Sequence, residues 1–582
     1  MITLTPMHTP KIGPISLLAA TLLFSLGFLA CDTSNAPPPA AGLQVSKATP
    51  TNQASDVPLD QTISLEMNQT IDQSTVKITS PNATLEVVDT DDGASRVDGL
   101  LSFTETTTTT ILFKPSGHLL SEHHYSVTLK ASVANAAGET LTSDYHFDFQ
   151  AHTQDWQTPT SMYATPSTYG ATVSASCPDG STLFVYNPEG FSDGGLYAQI
   201  YSQNQFAPAE PLWISGAVRN VQAVCTPTGY LLAFYNENDR HVYTQRYLNS
   251  TGWLARQPMT SDSVQGFNPK IAADQEGNAV LLWKQYTVAT GNQLWGSRYL
   301  ARTNTWTPAA RIDLDVPGSD TAWVGYFYDV ALNEDGKGIV VFSFPPVGGP
   351  LDTWSYYSKE VDVKLGWMSP VSVFGGGQPI DSLYSAIALH KNGDAELIVP
   401  FKIMLGGANY TYKFKAVHYQ HASAHWGSPV LIDFTETTFT SRYPKIFIKP
   451  NDDMVVSWMS QDSTQFKINV ARNTNGAGWL ATNPQIDLGP KLEHDYYYYS
   501  FEVDNLGQEW AAFSHLVGTK LELRVAQADA SGQFLTANAI APVATGDQFF
   551  ANLHADYAGN IFLSWMQGSF TTSVTPWLVL YK

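Results

Sequence analysis

Four stretches of this 582-residue chain couple carboxylates to aromatic side chains. Residues 314–328 contain Trp323, Tyr326 and Tyr328; residues 434–443 contain Arg442 and Tyr443; residues 493–499 contain Glu493, Asp495 and Tyr497; residues 545–550 contain Asp547 and Phe549. An aromatic face stacks on the C–H face of a sugar while acids accept hydrogen bonds from its hydroxyls, and aromatics are also enriched where proteins meet. These residues form the candidate ligand-binding set, for a carbohydrate or a protein. Catalytic patterns are weaker. Gly190-Phe-Ser192-Asp-Gly194 spells a Gly-x-Ser-x-Gly string, but a nucleophilic serine there needs a strand-to-helix elbow, and this segment joins two strands. His418, His421 and His425 fall within eight residues, yet strand positions three apart face opposite sides, so no shared metal is expected. Asp89-Thr-Asp91-Asp92-Gly93 lacks the spacing of a calcium loop and reads as a hairpin turn. Paired carboxylates for glycoside hydrolysis stay open, because the separations among 52 acids are not written in a sequence. No catalytic residue, metal or cofactor is assigned. Non-enzymatic binding or adhesion is the expected function, with a glycan-active hydrolase or lyase using carboxylates as runner-up.

The elements that must position these residues are strands. Only 14% of residues are charged, 12% are aromatic, and there are 42 Gly and 34 Pro. Long solvated helices need more Lys, Glu and Arg than that, so an all-β chain of several domains is expected. The balance of 31 basic against 52 acidic residues gives a net charge of −21, which repels nucleic acid and excludes it as a partner.

The first 30 residues hold Lys11, no acid, and the apolar run Ile15–Ala30, too short to span a membrane and suited to a signal peptide. The run ends at Phe28-Leu29-Ala30-Cys31, which resembles the bacterial lipobox. Ala30 and Cys31 fit that pattern, while Phe28 and Leu29 depart from it. The resemblance implies lipidation at Cys31 and a membrane partner through the lipid, in a bacterial cell envelope. Residues 31–43 form a Pro/Ala-rich tether.

Residues 44–151 show alternating runs, Ile63-Ser-Leu65-Glu-Met67, Ile111-Leu-Phe113, Tyr125-Ser-Val127-Thr-Leu129 and Tyr145-His-Phe147-Asp-Phe149, in which one set faces a core and the other solvent. With Thr49-Pro50, Phe113-Lys-Pro115 and Asn135-Ala-Ala-Gly138, their order resembles the bacterial Ig-like domain of surface proteins. That resemblance implies a β-sandwich acting as a spacer.

Residues 152–582 repeat. A hairpin-turn marker recurs at Gly180, Gly229, Gly277, Gly336, Gly393, Asp452-Asp453, Gly507 and Gly559, and a fourth-strand aromatic at Trp156, Phe206, Trp253, Trp306, Trp367, Trp426, Trp479 and Phe534. Four strands at a period of about 54 residues resemble a β-propeller. Eight blades follow by count, with seven as the fallback should one weak unit not be a blade. The architecture resembles that of sialidases and lectins, although the Asp-box turn of sialidases is absent. The series opens on a fourth-strand marker and ends after a third strand, so the N- and C-terminal strands should pair and close the ring. A residue recurring in every unit serves the scaffold; function is expected where the units differ. Cys177 and Cys225 lie 48 residues apart, about one repeat. Bridging them across adjacent blades and leaving them as two buried thiols are both open, depending on whether the strands approach closely enough. A monomer is expected.

Overall fold

The computed structural model describes residues 42–582 except 59–60, 80, 92, 116–118, 120–121, 153–155, 163–171, 187–194, 204, 215, 317–323, 326, 346–353, 375–383, 407–408, 434–439, 462–464, 475, 481–484, 491–498, 519, 530–531, 535–536, 541–545, 558 and 570–572. Strands dominate it.

The amino-terminal unit is a sandwich of two sheets. One holds Val45–Thr49, Ile63–Met67, Thr109–Pro115 and Gly99–Glu105; the other holds Ala54–Val57, Tyr145–Ala151, His124–Leu129, Leu85–Asp89 and Ser95–Arg96. Alternation works as period-two logic requires: Ile63, Leu65 and Met67 are buried while Ser64 and Glu66 are not. Ile111, Phe113, Tyr125, Val127, Leu129, Phe147 and Phe149 complete one core. Asp89 and Asp91 sit at a hairpin between Leu85–Asp89 and Ser95–Arg96, where Asp89 accepts the Asp91 N–H at 3.0 Å and contacts His123 at 2.8 Å.

The remainder forms eight further sheets, blades 1 to 8 in chain order. Their innermost strands are Thr172–Ser176, Val218–Thr226, Gln265–Ala273, Tyr328–Leu332, Ala386–Leu389, Thr440–Ile448, Tyr499–Val503 and Asp547–Ala555. Each innermost strand touches the next, and that of blade 1 touches that of blade 8. This is a β-propeller. Blade 8 takes its outer strand from the start of the repeat region, with Thr160 paired to Leu578, Ser161 to Trp577 and a bridge from Trp156 to Tyr581. Second strands are buried on both faces, as Thr182–Tyr186 and Met454–Ser460 illustrate, so they read as unbroken apolar runs rather than alternations.

Both repeat markers have a mechanical cause. In every blade the aromatic marker pairs with one third-strand residue: Tyr201–Phe206, Tyr247–Trp253, Tyr299–Trp306, Val361–Trp367, Tyr419–Trp426, Asn473–Trp479, Ala528–Phe534 and Tyr581–Trp156. Where that residue is tyrosine the ring centroids lie 4.9–5.3 Å apart, a favourable cross-strand pair. In the first hairpin, the N–H of the marker residue donates to the carbonyl three residues earlier, as Gly277 to Asp274, Gly336 to Asn333 and Gly507 to Asp504. The position needs a left-handed backbone (φ +83° at Gly277), and Asp452 supplies it at φ 69° where glycine is missing.

Cys177 and Cys225 are joined, with Cα atoms 5.3 Å apart, linking blades 1 and 2 where their innermost strands end. The alternative of two free thiols is therefore set aside.

Candidate functional site

The propeller has two unlike faces. Innermost strands begin, and second strands end, on a loop face; first hairpins and the turns between third and fourth strands make the opposite, turn face. The ligand set named from the sequence belongs to the loop face. Of it, Trp323, Tyr326, Glu493, Asp495 and Tyr497 lie outside the described residues, as do Cys31 and Ser192. Phe549 stands in the innermost strand of blade 8, paired with Met566.

Tyr328 requires correction as a ligand contact. It is buried, its hydroxyl donates to the Asn268 carbonyl of the preceding blade, and Lys284 Nζ lies 5.4 Å from its ring centre. Burial pushes its hydroxyl pKa well above the usual value. Tyr499 does the same job three blades on, donating to the Tyr443 carbonyl at 2.7 Å. Asn268 and Tyr443 each occupy a bulge in an innermost strand at φ 54°, and a bulge leaves a carbonyl outside the sheet ladder. The buried tyrosine of the next blade satisfies it. Position alone does not distinguish such a latch from an exposed aromatic.

Tyr443 itself is exposed at 40%. Its left-handed backbone turns the ring out of the strand, and the ring meets Tyr384, just ahead of blade 5, edge-on at 4.7 Å. Arg442 precedes it and is half-buried. The longest hairpin of the propeller, Ala395–Gly406 with Asn409–Gln420, also rises on this face from blade 5. It exposes Met404, Leu405 and Tyr410; Lys402 Nζ lies 4.2 Å from the Tyr410 ring centre and Tyr412 packs on it edge-on at 5.5 Å. Asp547 is half-buried, and its Oδ1 accepts the Leu521 N–H at 2.9 Å, which ties it to blade 7.

The innermost strands also carry charge. Burial pushes the Glu502 carboxyl up to about 7, an effect that Lys445 partly opposes, and burial depresses Lys445 in turn. Lys445 Nζ donates to Ser500 Oγ at 3.4 Å. Lys270 and Asp329 approach to 3.9 Å between blades 3 and 4. His554 Nε2 meets Ser176 Oγ at 2.7 Å across blades 8 and 1, and burial pushes the imidazole down to about 4. Ser176 also bonds Thr182 at 2.7 Å.

The three histidines do not converge. His418 contacts Glu396 at 2.9 Å and His421 contacts Glu360 at 2.6 Å, while His425 is exposed. Among the described residues no group of three or more His, Cys, Asp or Glu could hold a metal ion.

The turn face is knit by polar links from blade to blade: Lys364–Glu276 at 2.8 Å, Lys391–Glu334 at 3.6 Å, His390–Asp452 at 2.8 Å and Lys449–Glu509 at 2.8 Å. One register position supplies several more. The third-strand residue before the partner of the aromatic marker is Arg246, Arg298, Glu360 or Arg472, and each reaches the next blade, to Asn304, Val363, His421 and Glu509 respectively. Aligning the repeats on that partner, as in Arg246-Tyr247 and Arg298-Tyr299, would have exposed this position from the sequence.

The chain thus joins an Ig-like sandwich to an eight-bladed propeller. Residues 40–151 match the family model of the bacterial Ig-like domain. No curated protein matches the chain's sequence. Among solved structures it is similar to the Dos1 propeller (8% identity, 74% of this chain and 95% of that one, TM-score 0.43). It is also similar to the β-propeller domain of the Trilobed protease from Pyrococcus furiosus (10% identity, 65% and 99%, TM-score 0.36) and to polysaccharide lyase Uly1 (11% identity, 62% and 88%, TM-score 0.39). The architecture rests on the strand pairings themselves.

Proposed function

We propose that this is an exported, lipid-anchored protein of the bacterial cell envelope that presents its propeller as a non-enzymatic binding or adhesion platform. The carrying observation is the exposed Tyr443 ring on the loop face, held edge-on by the half-buried Tyr384 and flanked by Arg442. It is a shallow aromatic surface of the kind that stacks on a sugar ring or receives a protein side chain. Export is supported by the apolar segment ending at Cys31 and by a disulfide, a bond that persists in oxidising compartments. The Ig-like segment fits a spacer between anchor and platform. Among the described residues no helix is long and apolar enough to cross a membrane; the lipid on Cys31 is the proposed attachment. A glycan array probed with wild-type chain and Tyr443→Ala tests the platform. Retention falls at least about tenfold in the variant, roughly 1.4 kcal/mol; equal retention removes Tyr443 from the site.

One observation favours a second reading, a glycan-active hydrolase or lyase. Glu502, with its carboxyl pushed up to about 7, is a carboxyl protonated in about half of the molecules at neutral pH, which is where a general acid works. Reducing-sugar release from a bound glycan, abolished by Glu502→Gln, would establish catalysis and overturn the binding-only reading.

A further inference from the structure

The blade 6–blade 7 boundary departs from the repeat on the turn face. The first residue after the hairpin is Ala279, Gly338, Ala395, Met454 and Ile561 in five blades, buried and apolar or side-chain-free, and the neutral Thr182 in blade 1, but in blade 7 it is the charged Glu509. The residue opening the hairpin accepts N–H groups through its side chain at Asp274, Asn333, Asp504 and Asp556; in blades 1 and 5 it is Cys177 and His390, and in blade 6 it is the donor Lys449. Lys449 and Glu509 meet. Lys449 Nζ lies 2.8 Å from Glu509 Oε1, and Arg472 grips both carboxylate oxygens while donating to the Gly532 carbonyl at 2.8 Å.

A scaffold does not require this. Five other blades manage the position with an apolar residue or a glycine, and an ion cluster in place of packing brings a desolvation cost without a net gain in stability. The cluster borders a cavity of about 310 Å³. Its walls include Met454, Leu480 and Leu506, with Asp453 and Asp529 also on the lining. Glu509 is 2% exposed, Arg472 13% and Lys449 19%, so the inner group is two cations sharing one carboxylate. Asp453 is half-buried and Asp529 exposed, which places negative charge at the rim. Buried charge calls for a counter-charge. A plain anion would have to pass the two rim acids on a chain of net charge −21, and a plain cation would meet the inner surplus.

From this arrangement we propose that the cavity between blades 6 and 7 binds a small zwitterion, an amino acid or its close analogue. Its carboxylate faces Lys449 and Arg472, its ammonium faces Asp453 and Asp529, and its apolar part lies on Leu480 and Leu506. The site is independent of the loop-face platform. The standard amino acids, led by L-leucine, are screened by thermal shift with the full chain, and the best is taken to calorimetry. Two analogues of it follow, one lacking the ammonium and one lacking the carboxylate. The expected result is binding by the amino acid, weakened at least about tenfold in either analogue. Exposed Thr474 lines the cavity, so Thr474→Trp should occlude it and abolish the signal while Tyr443→Ala leaves it unchanged. Asp529→Asn should weaken the amino acid and spare the analogue without ammonium. No binding by any amino acid, undiminished binding in folded Thr474→Trp, or equal affinity for the one-charge analogues overturns the proposal.

Discussion

The two faces of the propeller are built to opposite rules. On the turn face similar devices recur: a left-handed hairpin residue, in four blades a third-strand arginine or glutamate reaching its neighbour, and ion pairs spanning consecutive sheets. On the loop face the connections differ in length and content, and aromatics such as Tyr443 and Tyr410 stand in solvent. Repetition marks what holds the ring. Variation marks what the ring is free to use, and Glu509 with Lys449 is variation within the repetitive face.

Four tests probe that contrast, from the largest effect to the smallest. Replacing Cys177 and Cys225 by serine removes a link closing a 48-residue separation and should cost about 4 kcal/mol in chemical denaturation, by loop-closure entropy. Glu509→Ala strands two partly buried cations and should cost about 3 kcal/mol, whereas Tyr443→Ala should change stability by less than about 0.5 kcal/mol. A loop-face residue matching Glu509 in cost would break the contrast.

His554 supplies the third test. Its folded pKa of about 4 lies below the ordinary 6.5, so the unfolded chain takes up the proton first. Stability contributed by the neutral ring is complete above pH 6.5 and is lost as pH falls from 6.5 towards 4. His554→Gln should flatten this acid limb by about 2 kcal/mol, read as the difference in unfolding free energy at the two ends of the window. Lys364→Ala comes last. Both ends of its bridge to Glu276 are well exposed, so no shift in melting temperature is expected. A measurable loss would show that the turn-face links act as a network rather than as pairs.

Much of the fold was legible in the sequence because its markers are side chains with one local job. Trp306 pairs with Tyr299, and Gly277 turns the hairpin, in ways the neighbouring residues already imply. The sites were less legible because their geometry is set between blades. Tyr328 and Tyr443 both sit in aromatic, acid-bearing stretches, yet one is a buried latch on a bulge one blade away and the other an exposed ring turned out by a bulge in its own strand. Lys449 and Glu509 are 60 positions apart and carry no motif, so only superposing the repeats shows that both break the pattern. The cysteine pair was undecided for a similar reason, since the 5.3 Å between their Cα atoms reflects how closely innermost strands approach.

The pairing of Thr160 and Ser161 with Leu578 and Trp577 has a mechanical consequence. Force applied through the amino-terminal segment enters the propeller at this short strand, joined to the carboxyl-terminal strand of the same sheet by few hydrogen bonds. A pulled molecule should therefore yield first at blade 8, losing its outermost strand while blades 1 to 7 keep theirs. The seam that completes the ring is also its mechanical fuse.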